Sequence, residues 1–145
     1  MIKSKAMVLE EPGRMVLREF PLPKIGPQEG LLKVEMAGVC GSDVVMYRGK
    51  VTRAPRPYPI IMGHEIFCTI AEIGEEISMK SGLNVGDRAI VEYTLGCGEC
   101  FYCVSGDYIH CESFLTYGSM ISCKEPPHLW SAYSEYLYPA PQKAP

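Results

Sequence analysis

Four cysteines within fifteen residues, Cys97, Cys100, Cys103 and Cys111, constrain what this chain of 145 residues can fold into more than any other feature. The two-residue gaps let neighbouring thiolates converge on one ion, and the seven-residue gap closes a loop around it, as a tetrahedral four-sulfur zinc site requires. All four positions are sulfur, so such a site is closed: it stabilises a fold and does no chemistry on a substrate. An iron–sulfur cluster also opens with Cys-x2-Cys-x2-Cys, but here the fourth cysteine arrives late and no proline follows it. No histidine follows either Cys-x-x-Cys pair, which removes c-type haem. His110, beside Cys111, reads as a loop residue facing solvent.

The remaining alternative, four free or disulfide-bonded thiols, depends on compartment. The N-terminus, MIKSKAMVLEEPGRMV, carries basic residues but no apolar run with a cleavage site, so it does not read as secretory. No stretch approaches the roughly 18 apolar residues of a membrane span. The expected location is the cytoplasm, where thiols stay reduced and clustered cysteines point to metal. Fourteen Lys+Arg against seventeen Asp+Glu leave a net charge of −3, which argues against a nucleic-acid partner. The length suits one domain, and 47% apolar residues suffice for a core.

The rest reads as short strands punctuated by turns. Strands are expected over Lys5–Leu9, Met15–Phe20 and Leu31–Ala37, with Leu32, Val34 and Met36 alternating onto one face. Ser42 and Asp43 are candidate N-caps for a short helix over Val44–Arg48, stopped by Gly49. Pro55, Pro57 and Pro59 forbid regular helix, and strands are again expected over Ile66–Ala71, Arg88–Thr94 and Ser134–Tyr138. The fold class is therefore β-rich. The tail PAPQKAP, 139–145, reads as a linker.

Two further motifs carry chemistry. Cys40 lies between a strand and a helix N-terminus, where the dipole favours thiolate. His64-Glu65 lies at a loop-to-strand junction. A Cys, His and carboxylate set is a reasonable zinc first shell with a position left for solvent or substrate, which would make the site catalytic. The rival reading is a packed cysteine, a satisfied core histidine and an exposed glutamate.

Taken in order, Val39-Cys40-Gly41-Ser42-Asp43, Gly63-His64-Glu65, Val85-Gly86-Asp87-Arg88 and the cysteine quartet resemble the zinc-dependent medium-chain alcohol dehydrogenases, from about Lys5 to Tyr138. The resemblance implies an N-terminal catalytic domain spanning 1–145: a GroES-like, partly open β-barrel with short helices and a zinc lobe over about 95–114. It implies a structural zinc on Cys97, Cys100, Cys103 and Cys111, and a catalytic zinc on Cys40 and His64 with Glu65 as its nearby carboxylate. Ser42 would relay the substrate proton, and Asp43 would orient the zinc-bound histidine; for both, the plainer role is a helix cap. The Cys-Gly-Ser-Asp form is more typical of polyol and threonine dehydrogenases, so the substrate class implied is a small alcohol or polyol. Tyr47 and Tyr93 are candidates to line the pocket or simply to pack.

Two departures stand out. Cys68 occupies a position where the family usually has glycine, and packing is its expected role, as it is for Cys123. The segment Trp130-Ser131-Ala132-Tyr133-Ser134-Glu135-Tyr136 is bulkier than the family's glycine-rich approach to this strand, so the rim of the site is expected to differ. No strand followed by G-x-G-x-x-G is present, so NAD or NADP would bind a Rossmann domain outside this chain. The expectation is a fragment of a longer, homo-oligomeric dehydrogenase, inactive in hydride transfer alone. The competing expectation is a zinc-stabilised binding or scaffold module that has the barrel without the catalysis.

Overall fold

A computed structural model describes residues 2–50 and 55–139; the expected linker, apart from Pro139, lies outside them. The element order is β1 (Lys3–Glu11), β2 (Arg14–Pro21), β3 (Gly30–Ala37), α1 (Gly41–Tyr47), β4 (Ile60–Ile61), β5 (Ile66–Ile73), α2 (Glu75–Ser81), β6 (Arg88–Val91), β7 (Thr94–Leu95), α3 (Phe101–Val104), β8 (Leu115–Thr116) and β9 (Tyr136–Leu137), with a 3-10 turn at Tyr108–His110. The expected β-rich, partly open architecture is what forms: three antiparallel sheets in the orders β2-β1-β4, β6-β5-β3-β9 and β7-β8.

Alternation sets the first hairpin. Ser4, Ala6 and Val8 of β1 point inward and Lys3, Lys5 and Met7 outward, and the β1–β2 register runs from Lys3↔Pro21 to Glu11↔Arg14. Strand β4 has two residues and cannot persist on hydrogen bonds worth about 1 kcal/mol each. Burial holds it: Ile60 and Ile61 are almost fully enclosed, and each contributes about 2 kcal/mol.

The last segment ties the sheets together. Met7 N–H donates to Tyr133 O, Glu135 N–H to Lys5 O and Val34 N–H to Glu135 O, so 133–135 bridges β1 and β3. Tyr133 packs against all three apolar clusters of the core.

The structure corrects several local expectations. The single strand expected over Arg88–Thr94 is two strands in different sheets, because the chain turns at Glu92-Tyr93 and Thr94 pairs with Thr116. Strand β9 covers only Tyr136–Leu137 of the expected Ser134–Tyr138. The helix at 41–47 starts earlier than expected, with Cys40, not Ser42 or Asp43, at the N-cap. Helix α2 was not foreseen, although Glu75 and Glu76 in its first turn, Lys80 in its last and a left-handed Gly82 after it are ordinary helix punctuation. None of its residues is buried, so it offers no apolar periodicity to detect. Among the described residues, no helix is long and apolar enough to cross a membrane.

Candidate metal centres

The β3–β5 register builds the first site. Ala37 pairs with Ile66, so the end of one strand and the start of the other lie together, and Gly38 N–H donates to Glu65 O at 2.9 Å. Residue 38 must be glycine for this approach, since a Cβ there would overlap the Glu65 carboxylate. The chain then turns through Cys40 into α1, while His64 and Glu65 sit just before β5. One ligand atom from each of Cys40, His64 and Glu65 lies within 4.8 Å of the other two.

Asp43 stands behind this group, buried at 2% exposure in the first turn of α1. Its Oδ2 accepts the Cys40 backbone N–H at 2.9 Å and the Tyr133 hydroxyl at 3.2 Å. Its Oδ1 is buried without a hydrogen-bond partner among the described residues and lies 3.7 Å from His64 Nδ1, too long for a hydrogen bond. Asp43 thus caps the helix from its third position and also faces the histidine. The Tyr133 hydroxyl is held in its protonated form, pushed up to about 12 by burial first and by the Asp43 charge second.

Tyr133 is the residue that sequence reasoning missed. It belongs to the segment flagged only as bulky, yet that bulk is structural: the Tyr133 ring fills the space beside Gly63, whose φ of +88° admits no ordinary side chain. Ser131 donates its hydroxyl to Gly63 O, and Tyr133 N–H donates to Met62 O at 3.0 Å. The loop that carries His64 is therefore clamped by the segment that holds Asp43.

The His64 ring lies against Tyr93, centroids 5.3 Å apart, at the meeting point of two clefts. One, of about 650 Å³, is lined in part by Ser42, Arg56, Tyr93, Phe114 and Thr116. The other, of about 700 Å³, opens toward Met36, Phe67, Ile90 and Glu92. Of the two candidate tyrosines, Tyr93 lines both clefts, whereas the Tyr47 hydroxyl donates to Gly13 O at 2.9 Å.

The quartet forms a second, separate group. Its four sulfurs lie within 4.8 Å of one another, Cys97 following β7, Cys100 preceding α3, Cys103 within it and Cys111 closing the 3-10 turn. Backbone amides point at the sulfurs: Cys97 and Ser113 N–H donate to Cys111 Sγ at 3.2 and 3.3 Å, and Cys100 N–H donates to Cys97 Sγ at 3.4 Å. Backbone hydrogen bonding, chiefly from Cys103, draws Cys100 down to about 6, while desolvation and then its sulfur neighbours push Cys103 up to about 12. Four crowded thiols cannot all ionise unaided; a divalent cation removes that conflict, and the soft, closed donor set suits zinc. His110 stays outside, 63% exposed and paired with Asp107.

The other cysteines join neither group. Cys68 is fully buried in β5 with its Sγ directed to Ala89 O, and Cys123 is buried against Pro59 O.

The family model described as the alcohol dehydrogenase GroES-like domain matches residues 26–143. The chain belongs to this family. An uncharacterised zinc-type alcohol dehydrogenase-like protein of Haemophilus influenzae is 40% identical over 139 residues, covering 92% of this chain and 40% of that protein. An alcohol dehydrogenase of Thermotoga maritima superposes with a TM-score of 0.86 at 37% identity, over 98% of this chain and 40% of that one. A zinc-binding dehydrogenase of Sinorhizobium meliloti, solved with NADP, gives a TM-score of 0.78 at 26% identity, over 98% and 38%. The chain spans about two fifths of the length of the relatives it matches. It is thus an alcohol dehydrogenase GroES-like domain of the zinc type, matching in fold and family what its motifs led one to expect.

Proposed function

We propose that residues 1–145 act as the N-terminal catalytic domain of a zinc-dependent, NAD(P)-linked alcohol dehydrogenase that oxidises a small alcohol or polyol to a carbonyl. In this reading the lobe at about 95–114 holds a structural zinc on Cys97, Cys100, Cys103 and Cys111. Cys40 and His64 hold a catalytic zinc, with Glu65 as its carboxylate. The observation that carries it is the convergence of Cys40, His64 and Glu65 in front of a buried carboxylate whose Oδ1 has no hydrogen-bond partner among the described residues.

When bound, zinc lowers the pKa of an alcohol hydroxyl and stabilises the alkoxide. The chain's own residues do the rest. Asp43, fixed by the Cys40 amide and the Tyr133 hydroxyl, directs its free oxygen at His64 Nδ1 and so sets the orientation and tautomer of that ring. Ser42, exposed on the wall of the 650 Å³ cleft, takes the substrate proton and passes it to solvent. The second cleft, with Met36 and Ile90 exposed at its mouth, would leave room beside His64 and Tyr93 for a nicotinamide that supplies hydride transfer.

The 145 residues contain no G-x-G-x-x-G fingerprint, and hydride transfer is assigned to the longer enzyme. The test joins metal analysis of this chain to alcohol-dependent NAD(P)H formation by the longer enzyme. Two zinc ions per chain, falling to one in Cys40→Ala together with loss of turnover, is the expected result. One zinc in the unaltered chain would leave a zinc-stabilised module without catalysis.

A further inference from the structure

The 650 Å³ cleft contains a charge that alcohol oxidation does not use. Arg56 lines it, together with Ser42 and His64, and no carboxylate is among the residues of its wall. Arg56 Nε is buried and has no hydrogen-bond partner, and Arg56 makes no ion pair among the described residues. A buried guanidinium N–H left unpaired is unfavourable, and folded proteins rarely retain one unless something else supplies the acceptor. Guanidinium is always charged, and its planar fork of donors matches carboxylate and phosphate oxygens.

Thr116 and Ser119 lie on the same wall, and their hydroxyls bond each other at 2.5 Å. Asp43 and Glu65 stand beside His64, but neither is a residue of this wall, and Arg56 pairs with neither. The apolar part of the wall, including Val45, Phe114 and Met120, lowers the local dielectric and strengthens any ion pair formed there. The cleft therefore presents a fixed positive charge in a half-apolar pocket of ordinary ligand size.

We propose that this cleft selects alcohols bearing an anionic group, a carboxylate or a phosphate, with the anion on Arg56 and the hydroxyl at the Ser42–His64 end. The inference rests on the alcohol dehydrogenase reading of that site and narrows its substrate class.

The test is an NMR titration of the zinc-loaded full chain with glycerol, glycerate and glycerol 3-phosphate, which share a three-carbon hydroxylated frame and differ in charge. One or both anionic compounds are expected to bind roughly tenfold more tightly than glycerol, and which of them does so separates carboxylate from phosphate. Arg56→Gln is expected to erase that preference and Arg56→Lys to restore part of it, with an unchanged amide spectrum away from the cleft showing that each variant is folded. Equal affinities in the unaltered chain, or a preference that survives Arg56→Gln, overturn the proposal. Direct chelation of zinc by the anion is untouched by Arg56→Gln and so falls among the overturning results. If the unaltered chain takes up only one zinc, an Arg56-dependent preference in that one-zinc chain retains the anion site and removes the catalytic zinc.

Discussion

The two cysteine-containing groups are built in opposite ways. The quartet draws four ligands from fifteen consecutive residues, all sulfur, on a lobe with little core of its own: Phe101 and Val104 are 74% and 70% exposed, α3 has four residues, and β7 and β8 have two each. Cys40, His64 and Glu65 come instead from the ends of two long paired strands, backed by Asp43 and Tyr133 and open to two clefts. On the proposed function the lobe would depend on its ion, whereas the residues of the open site are positioned by the sheet. A closed site stabilises structure and an open one leaves room for chemistry, and each scaffold here suits the role proposed for it.

Removing a quartet ligand tests this contrast most severely. Structural zinc of this kind contributes on the order of 10 kcal/mol, so Cys97→Ser should release one zinc and abolish hydrogen-exchange protection over residues 94–116, leaving the β1–β2 hairpin protected. Unfolding of the whole molecule would show that the lobe is no separate unit.

Next in size is Asp43→Ala, which strips the partner from the Cys40 amide and the Tyr133 hydroxyl. A loss of about 2 kcal/mol is expected from leaving buried donors unpaired, with weaker zinc retention at the open site only. Tyr133→Phe should lose about 1 kcal/mol by denaturant titration; if zinc affinity at Cys40 and His64 is also unchanged, the Tyr133–Asp43 bond does not support that site.

Cys40→Ala should shift stability by less, under about 1 kcal/mol, because Cys40 is only half-buried and the Asp43 carboxylate bonds its backbone N–H, which the substitution keeps. A drop as large as that of Cys97→Ser would erase the distinction between the two groups.

Cys123 gives the smallest effect and serves as the cysteine outside both. Burial, the first cause, raises its thiol from 9.0 to about 11. The folded state then keeps a proton that the unfolded chain releases above about pH 9. Its contribution is complete below that pH and is lost as pH rises toward 11. Alkaline denaturation should be shallower in Cys123→Ala, and a chelator should not change that difference.

Much of this was legible beforehand because it was local. The quartet is a spacing, and the strands around Ala6 and Val34 are alternations, so both are read without tertiary information, except that a bulge after Val34 leaves Met36 66% exposed instead of on the expected face. The same reasoning failed where local signals were weak or shared. Glu92-Tyr93 gave no warning that a β-rich run would divide between two sheets. Ser42 and Asp43 are both good N-caps, and nothing local chooses Asp43 to face inward.

What the sequence indicated by itself is which residues are candidates for the chemistry: four sulfurs close enough along the chain to share an ion, and residue types that could form an open zinc site, in the order of a known family. What only the tertiary structure decided is how the open site is assembled. The β3–β5 register brings Cys40 and His64 together across 24 residues, and Tyr133, ninety positions beyond Asp43, fixes that carboxylate. Ligands joined by short loops are constrained by covalent geometry, which sequence records directly. Ligands brought together by strand pairing depend on the packing of the whole sheet, which it does not.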